Sequence, residues 1–77
     1  MPPRAELQVT LGRAVKQLRE ARGLTQEAVA LAVDVHPTWI SRLEGGLLNP
    51  SWGMVGRVAE GLGVAIDELA RTVERSR

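Results

Sequence analysis

Apolar residues recur along this chain at intervals of three and four, the spacing of helices that bury one face, and five such segments are separated by turn-forming residues. The first, about Gln8 to Arg22, carries Leu11, Ala14, Val15 and Leu18 on one stripe and ends at Gly23, a residue suited to the left-handed position after a helix. Thr25 is placed to cap a second helix with Val29, Ala30 and Val33 on its inner face and Glu27 in its first turn, where the helix dipole favours an acid. Asp34 and Val35 then make a short turn. Pro37 opens a third helix at a position where its missing N–H costs nothing, Ile40 and Leu43 form its apolar face, and Gly45 and Gly46 close it. The fourth helix starts with Ser51 as N-cap, or with Asn49 as cap and Pro50 behind it. It uses Trp52, Val55, Val58, Ala59 and Leu62, and Gly61 and Gly63 read as its stop. The fifth, about Ile66 to Arg75, repeats the pattern with Ile66, Leu69, Ala70 and Val73. The prediction is an all-α, five-helix domain over residues 1–77, with a core from about 8 to 75. The first few residues, Ser76 and Arg77 are expected to fray.

Residues 26–45, QEAVALAVDVHPTWISRLEG, are the most informative stretch. The offsets of Val29, Ala30, Val33, Ile40 and Leu43 lock two short helices at a steep angle, with Val35 plugging the turn between them. Ala30 falls where the two helices cross, so its small size has a packing reason. Pro37, Thr38, Trp39, Ser41 and Arg42 are left to face outward. Proteins enter a DNA major groove with this geometry.

Composition narrows the choice. Seventy-seven residues without cysteine, with one histidine, exclude disulfides, thiolate metal sites and an ordinary structural zinc site, so no metal and no cofactor is expected. With no phenylalanine or tyrosine the core must be aliphatic, and a domain of this size gains from self-association. The longest apolar run, Ala28 to Val33, is too short for a membrane span, and the N-terminus has no signal-like segment, so a cytoplasmic protein is expected. Net charge is only +1, but residues 1–25 hold Arg4, Arg13, Lys16, Arg19 and Arg22 against Glu6 and Glu20, leaving the remainder at −2. Scattered acids, a lone histidine and no glycine-rich phosphate loop offer no catalytic constellation, and an enzyme is not expected.

The segments LGRAVKQLREARGLTQEAVA, WISRLEGG and NPSWGMVGRVAEGLGVAIDEL, between Leu11 and Leu69, resemble in order and spacing the lambda Cro and phage-repressor type of helix-turn-helix regulators. The resemblance implies a lambda-repressor-like fold in which helices 2 and 3 form the motif and helix 3 lies in the major groove of double-stranded DNA. Carried onto this chain, the base-reading residues would be Arg42, Thr38, Pro37 and His36. Arg42 has the chemistry to bond guanine O6 and N7, and Thr38 one turn earlier can bond a base or touch a thymine methyl. The alternative for Arg42 is a surface arginine that only touches phosphate or pairs with a nearby acid. His36 is expected to open helix 3 as a poor N-cap. Trp39 either packs against helix 2 or donates its indole N–H to the DNA backbone, as the tyrosine common there in the family suggests. Thr25 and Gln26 would meet a phosphate at the start of helix 2, Ser41 is a further backbone candidate, and Arg13 and Lys16 would add nonspecific attraction. Arg19 and Glu44 match a structural ion pair of the family.

Three departures from the family stand out. Asp34 replaces the usual turn glycine; GGLLNP replaces a loop that often carries lysine or arginine; and Gly53 and Gly56 sit inside helix 4, for which close approach of another helix is the expected reason. Leu47, Leu48, Trp52 and Met54 form a candidate apolar contact patch, with Val73 on helix 5 as its rival. The leading expectation is a homodimeric repressor reading an inverted-repeat operator. The alternative is a protein-interaction module, antitoxin or controller component, in which that patch or Leu31 binds a toxin or another regulator.

Overall fold

The computed structural model describes residues 3–77, which form five helices: α1 (Pro3–Ala21), α2 (Gln26–Val33), α3 (Pro37–Glu44), α4 (Trp52–Leu62) and α5 (Ile66–Arg75). The expected fraying of residues 1 and 2, and the side chain of Arg4, lie outside what is described. No strand occurs among the described residues, and no helix there is long and apolar enough to cross a membrane.

The start of α1 differs from the expectation by more than a turn, at Pro3 instead of Gln8. Proline is acceptable in a first turn, Glu6 complements the positive helix end, and Leu7 extends the stripe of Leu11 and Leu18 by one step. The other boundaries follow their caps. Thr25 Oγ1 accepts the N–H of Ala28 at 3.0 Å, and Ser51 Oγ accepts that of Met54 at 3.1 Å, which selects Ser51 over Asn49. Gly23 and Gly63 take left-handed backbone at φ 67° and 74°, as chain reversals after α1 and α4 require. Asp34 adopts φ 65° and ψ 50° as the C-cap of α2. Aspartate tolerates that region better than most side chains, so the turn forms without glycine.

The core joins all five helices through Ala14, Val15, Val29, Ala30, Val33, Ile40, Leu43, Val58, Ala59, Leu62, Val64 and Leu69. Thr10 and Thr72, also buried, return their hydroxyls to the Glu6 and Glu68 carbonyls four residues back. The two tightest glycine contacts are elsewhere, at Gly12 and Gly61. A Cβ at Gly12 would sit 2.7 Å from the Glu44 carbonyl oxygen and nearer still to that of Leu43, so α1 lies against the backbone end of α3. A Cβ at Gly61 would sit 2.7 Å from Val33 Cγ2, so Gly61 is a crossing point of α4 and α2 and not a helix stop. At Gly53 and Gly56 the nearest atoms are an ordinary 3.9 and 3.7 Å away. The close approach expected there is absent, and nothing in the structure explains these two glycines.

Candidate nucleic-acid interface

The α2–α3 unit is held by a polar clamp reaching from three helices. Arg19 Nε donates to Glu44 Oε2 at 2.6 Å and Nη2 to Oε1 at 3.0 Å, while Nη1 donates to the Leu24 carbonyl at 2.8 Å. Gln26, the first residue of α2, donates its side-chain amide to the same Glu44 Oε1 at 3.0 Å. The Arg19 and Glu44 side chains are only 11% and 4% exposed, and the hydrogen bond to Glu44 raises the arginine pKa against the opposing effect of burial. Because Glu44 ends α3, Gln26 begins α2 and Arg19 closes α1, this cluster sets the angle of α3 against α2. A second clamp, not anticipated from sequence, comes from α4: Arg57 Nη2 donates to the Val33 carbonyl at 2.7 Å, capping the C-terminus of α2 beside the turn. An arginine on the polar side of a helical stripe carries no signal of the carbonyl it will meet.

On this frame α3 presents a polar face. Ile40 and Leu43 are buried, whereas Thr38, Ser41 and Arg42 are exposed; Thr38 and Arg42, four apart, share one helix face. Among the described residues Arg42 joins no salt bridge. Pro37 at N1 is half-buried. Trp39 is half-buried and packs against the core. His36 also departs from the expectation of a poor cap. Its Nδ1 accepts the Thr38 N–H at 3.1 Å, doing the work of a serine oxygen through the short reach of the imidazole ring.

The remaining candidates are dispersed. Thr25 is exposed at the start of α2 with its hydroxyl already capping, and Gln26 is half-buried. Arg13 borders a shallow pocket with Glu6, Ser76 and Arg77, beside the end of α5, and Lys16 is exposed on α1.

The apolar patch divides. Leu48 and Met54 pack against the core, so two of its four members have an intradomain role, while Leu47 and Trp52 remain 73% and 69% exposed. Trp52 lines a groove of about 260 Å³ between α1, α4 and α5 with Leu7, Leu11, Val55, Ile66 and Val73. The two surfaces set as rivals, around Trp52 and around Val73, are therefore partly one.

Residues 10–72 match the model of a helix-turn-helix domain family, a span that includes both clamps and every residue of α2 and α3. The chain belongs to this helix-turn-helix family. Among its relatives is the control protein C.MunI from Mycoplasma sp, 31% identical over 71 residues that cover 91% of this chain and 96% of the relative. The crystal structure of the clp gene regulator ClgR from Corynebacterium glutamicum superposes with a TM-score of 0.87 at 28% identity, over 91% of each chain. The restriction-modification controller protein C.AhdI from Aeromonas hydrophila gives 0.77 at 29% identity, over 80% of this chain and 94% of that one. This helix-turn-helix protein is a sequence-specific DNA-binding transcriptional regulator and not an enzyme.

Proposed function

We propose that the protein binds operator DNA in the cytoplasm as a homodimer, each copy laying α3 in the major groove of one half of an inverted repeat, and represses the genes beside it. The observation that carries this is the exposed pair Thr38 and Arg42 on one face of a helix whose angle is held by the buried Arg19–Glu44–Gln26 cluster. A reading helix needs donors that point outward and a scaffold that does not yield. Arg42 bonds guanine O6 and N7, Thr38 takes the neighbouring base, and His36 and Pro37 lie nearest the groove floor at the start of α3. At α2, the Thr25 region and the second N–H of the Gln26 amide meet a phosphate, because one amide hydrogen is committed to Glu44 and the other is not needed there. Ser41 and the indole edge of Trp39 add backbone contacts, and Arg13 and Lys16 contribute attraction at longer range.

The groove and the single reading helix of each copy support dimerisation. Each copy has one α3, so reading two half-sites about 34 Å apart takes two copies. The groove lined by Trp52 and Val73 supplies an apolar surface that a two-fold partner can fill. Near full-length similarity to control proteins supports a controller role, in which the operator lies beside a restriction or methyltransferase gene. Leu31, 84% exposed on α2, supports a second reading in which a protein partner docks on the same fold.

Selection of duplexes from random DNA, with affinities for the best duplex and a scrambled one at several salt concentrations, tests the proposal. The expected result is an inverted repeat bound by two copies. Equal binding to every sequence, abolished by salt, would refute it.

A further inference from the structure

We propose that His36 is a positioning residue through which operator recognition depends on pH: its neutral ring holds the start of α3 in the reading conformation, and the imidazolium cannot. The inference rests on α3 being the DNA-reading helix. A ring nitrogen that accepts the Thr38 N–H at 3.1 Å carries no proton, so the proton of neutral His36 is on Nε2. Protonation puts a hydrogen on Nδ1 facing the Thr38 N–H. The acceptor is lost, and a positive charge is placed at the positive end of a helix dipole. Thr38 then loses the side-chain acceptor of its N–H, one of the contacts that order the first turn of α3, which is the part of the helix nearest base edges.

The helices packed on α3 carry Glu27 on α2, with Asp34 at its C-cap, and Glu6, Arg13, Lys16, Arg19 and Glu20 on α1, while α3 itself carries Arg42 and Glu44. Glu44 is taken by Arg19 and Gln26, and Arg57 is turned to the Val33 carbonyl at the end of α2. Imidazole is the side chain whose ordinary titration falls between pH 5.5 and 7.5, and this chain has a single histidine and no cysteine.

The test uses the full chain and the best duplex recovered by selection at pH 7.5. Affinity for that duplex and for a scrambled one is measured at pH 7.5 and 5.5 for wild type and for His36→Asn, because asparagine caps a helix without titrating. The preference of wild type for its duplex should fall roughly threefold to tenfold on acidification, while that of His36→Asn should change less than twofold. Nitrogen-15 spectra of the sole imidazole provide a second reading: at pH 7.5 the proton should be on Nε2, and the Thr38 amide should shift in step with the ring's titration. Equal pH responses in both proteins, a rise in wild-type affinity at pH 5.5, or a proton on Nδ1 would overturn the inference while leaving α3 as the reader. Absence of sequence preference at pH 7.5 would instead sink the reading of α3 and this inference with it.

Discussion

The α2–α3 unit and the α1–α4–α5 groove are built from opposite materials. Around α2 and α3 the apolar faces are closed, and orientation is fixed by charged groups turned inward: Arg19 and Glu44 bridging α1 to α3, Gln26 joining them, and Arg57 on the Val33 carbonyl. Around α1, α4 and α5 the apolar faces are left open, with Trp52 and Leu7 exposed at the rim. Directional bonds set an angle; apolar surface sets only proximity. The first region thus suits a part that must hold a geometry against DNA, and the second a part that completes itself against another chain.

The sharpest way to break this contrast is to cut the clamp. Glu44→Ala leaves Arg19 buried without its partner and should cost about 3–5 kcal/mol of stability, a large share of what so small a domain has. Urea denaturation checks this; a loss near 1 kcal/mol would mean that the pair is decorative. Next comes the groove. Trp52→Lys combined with Val73→Lys should leave the helical signal intact, give a monomer by sedimentation at tens of micromolar, and weaken operator binding on the order of 100-fold. A doubly substituted protein that remains dimeric would move the interface elsewhere, with Leu47 the first alternative. The smallest effect concerns the turn between the two helices of the motif. Asp34→Gly should raise stability by ~0.5 kcal/mol, since φ 65° is freely accessible to glycine while the greater freedom of the unfolded chain offsets part of the gain. A loss on that substitution would show that the aspartate side chain has a role of its own in the turn.

Much of the closed region was legible in the sequence, and much less of the open one. Periodicity and caps located α2 and α3 to the residue, because Thr25, Asp34 and Pro37 act on the backbone within one turn of themselves. The Arg19–Glu44 pair was identified through the family resemblance, since nothing local links residues 25 apart. Gly12 and Gly61 were missed for the same reason: a glycine required by another helix looks like a glycine required by its own chain. Leu47, Leu48, Trp52 and Met54 share composition as sequence neighbours, while burial depends on which way each side chain points, Leu47 and Leu48 from an irregular loop and Trp52 and Met54 from different sides of the first turn of α4. His36 was undervalued as a cap because propensities rank residue types, whereas the bond to Thr38 depends on one ring orientation.

The central claim, that α3 reads bases from a rigid frame, is tested most directly by measuring wild type and Arg42→Ala against the selected duplex and a set of its single-base-pair variants. The account predicts that Arg42→Ala loses discrimination at one base pair in each half-site, by about 1–3 kcal/mol, and keeps it at the others. Uniform weakening across all variants, with a shallower salt dependence, would contradict it and reduce Arg42 to a phosphate contact.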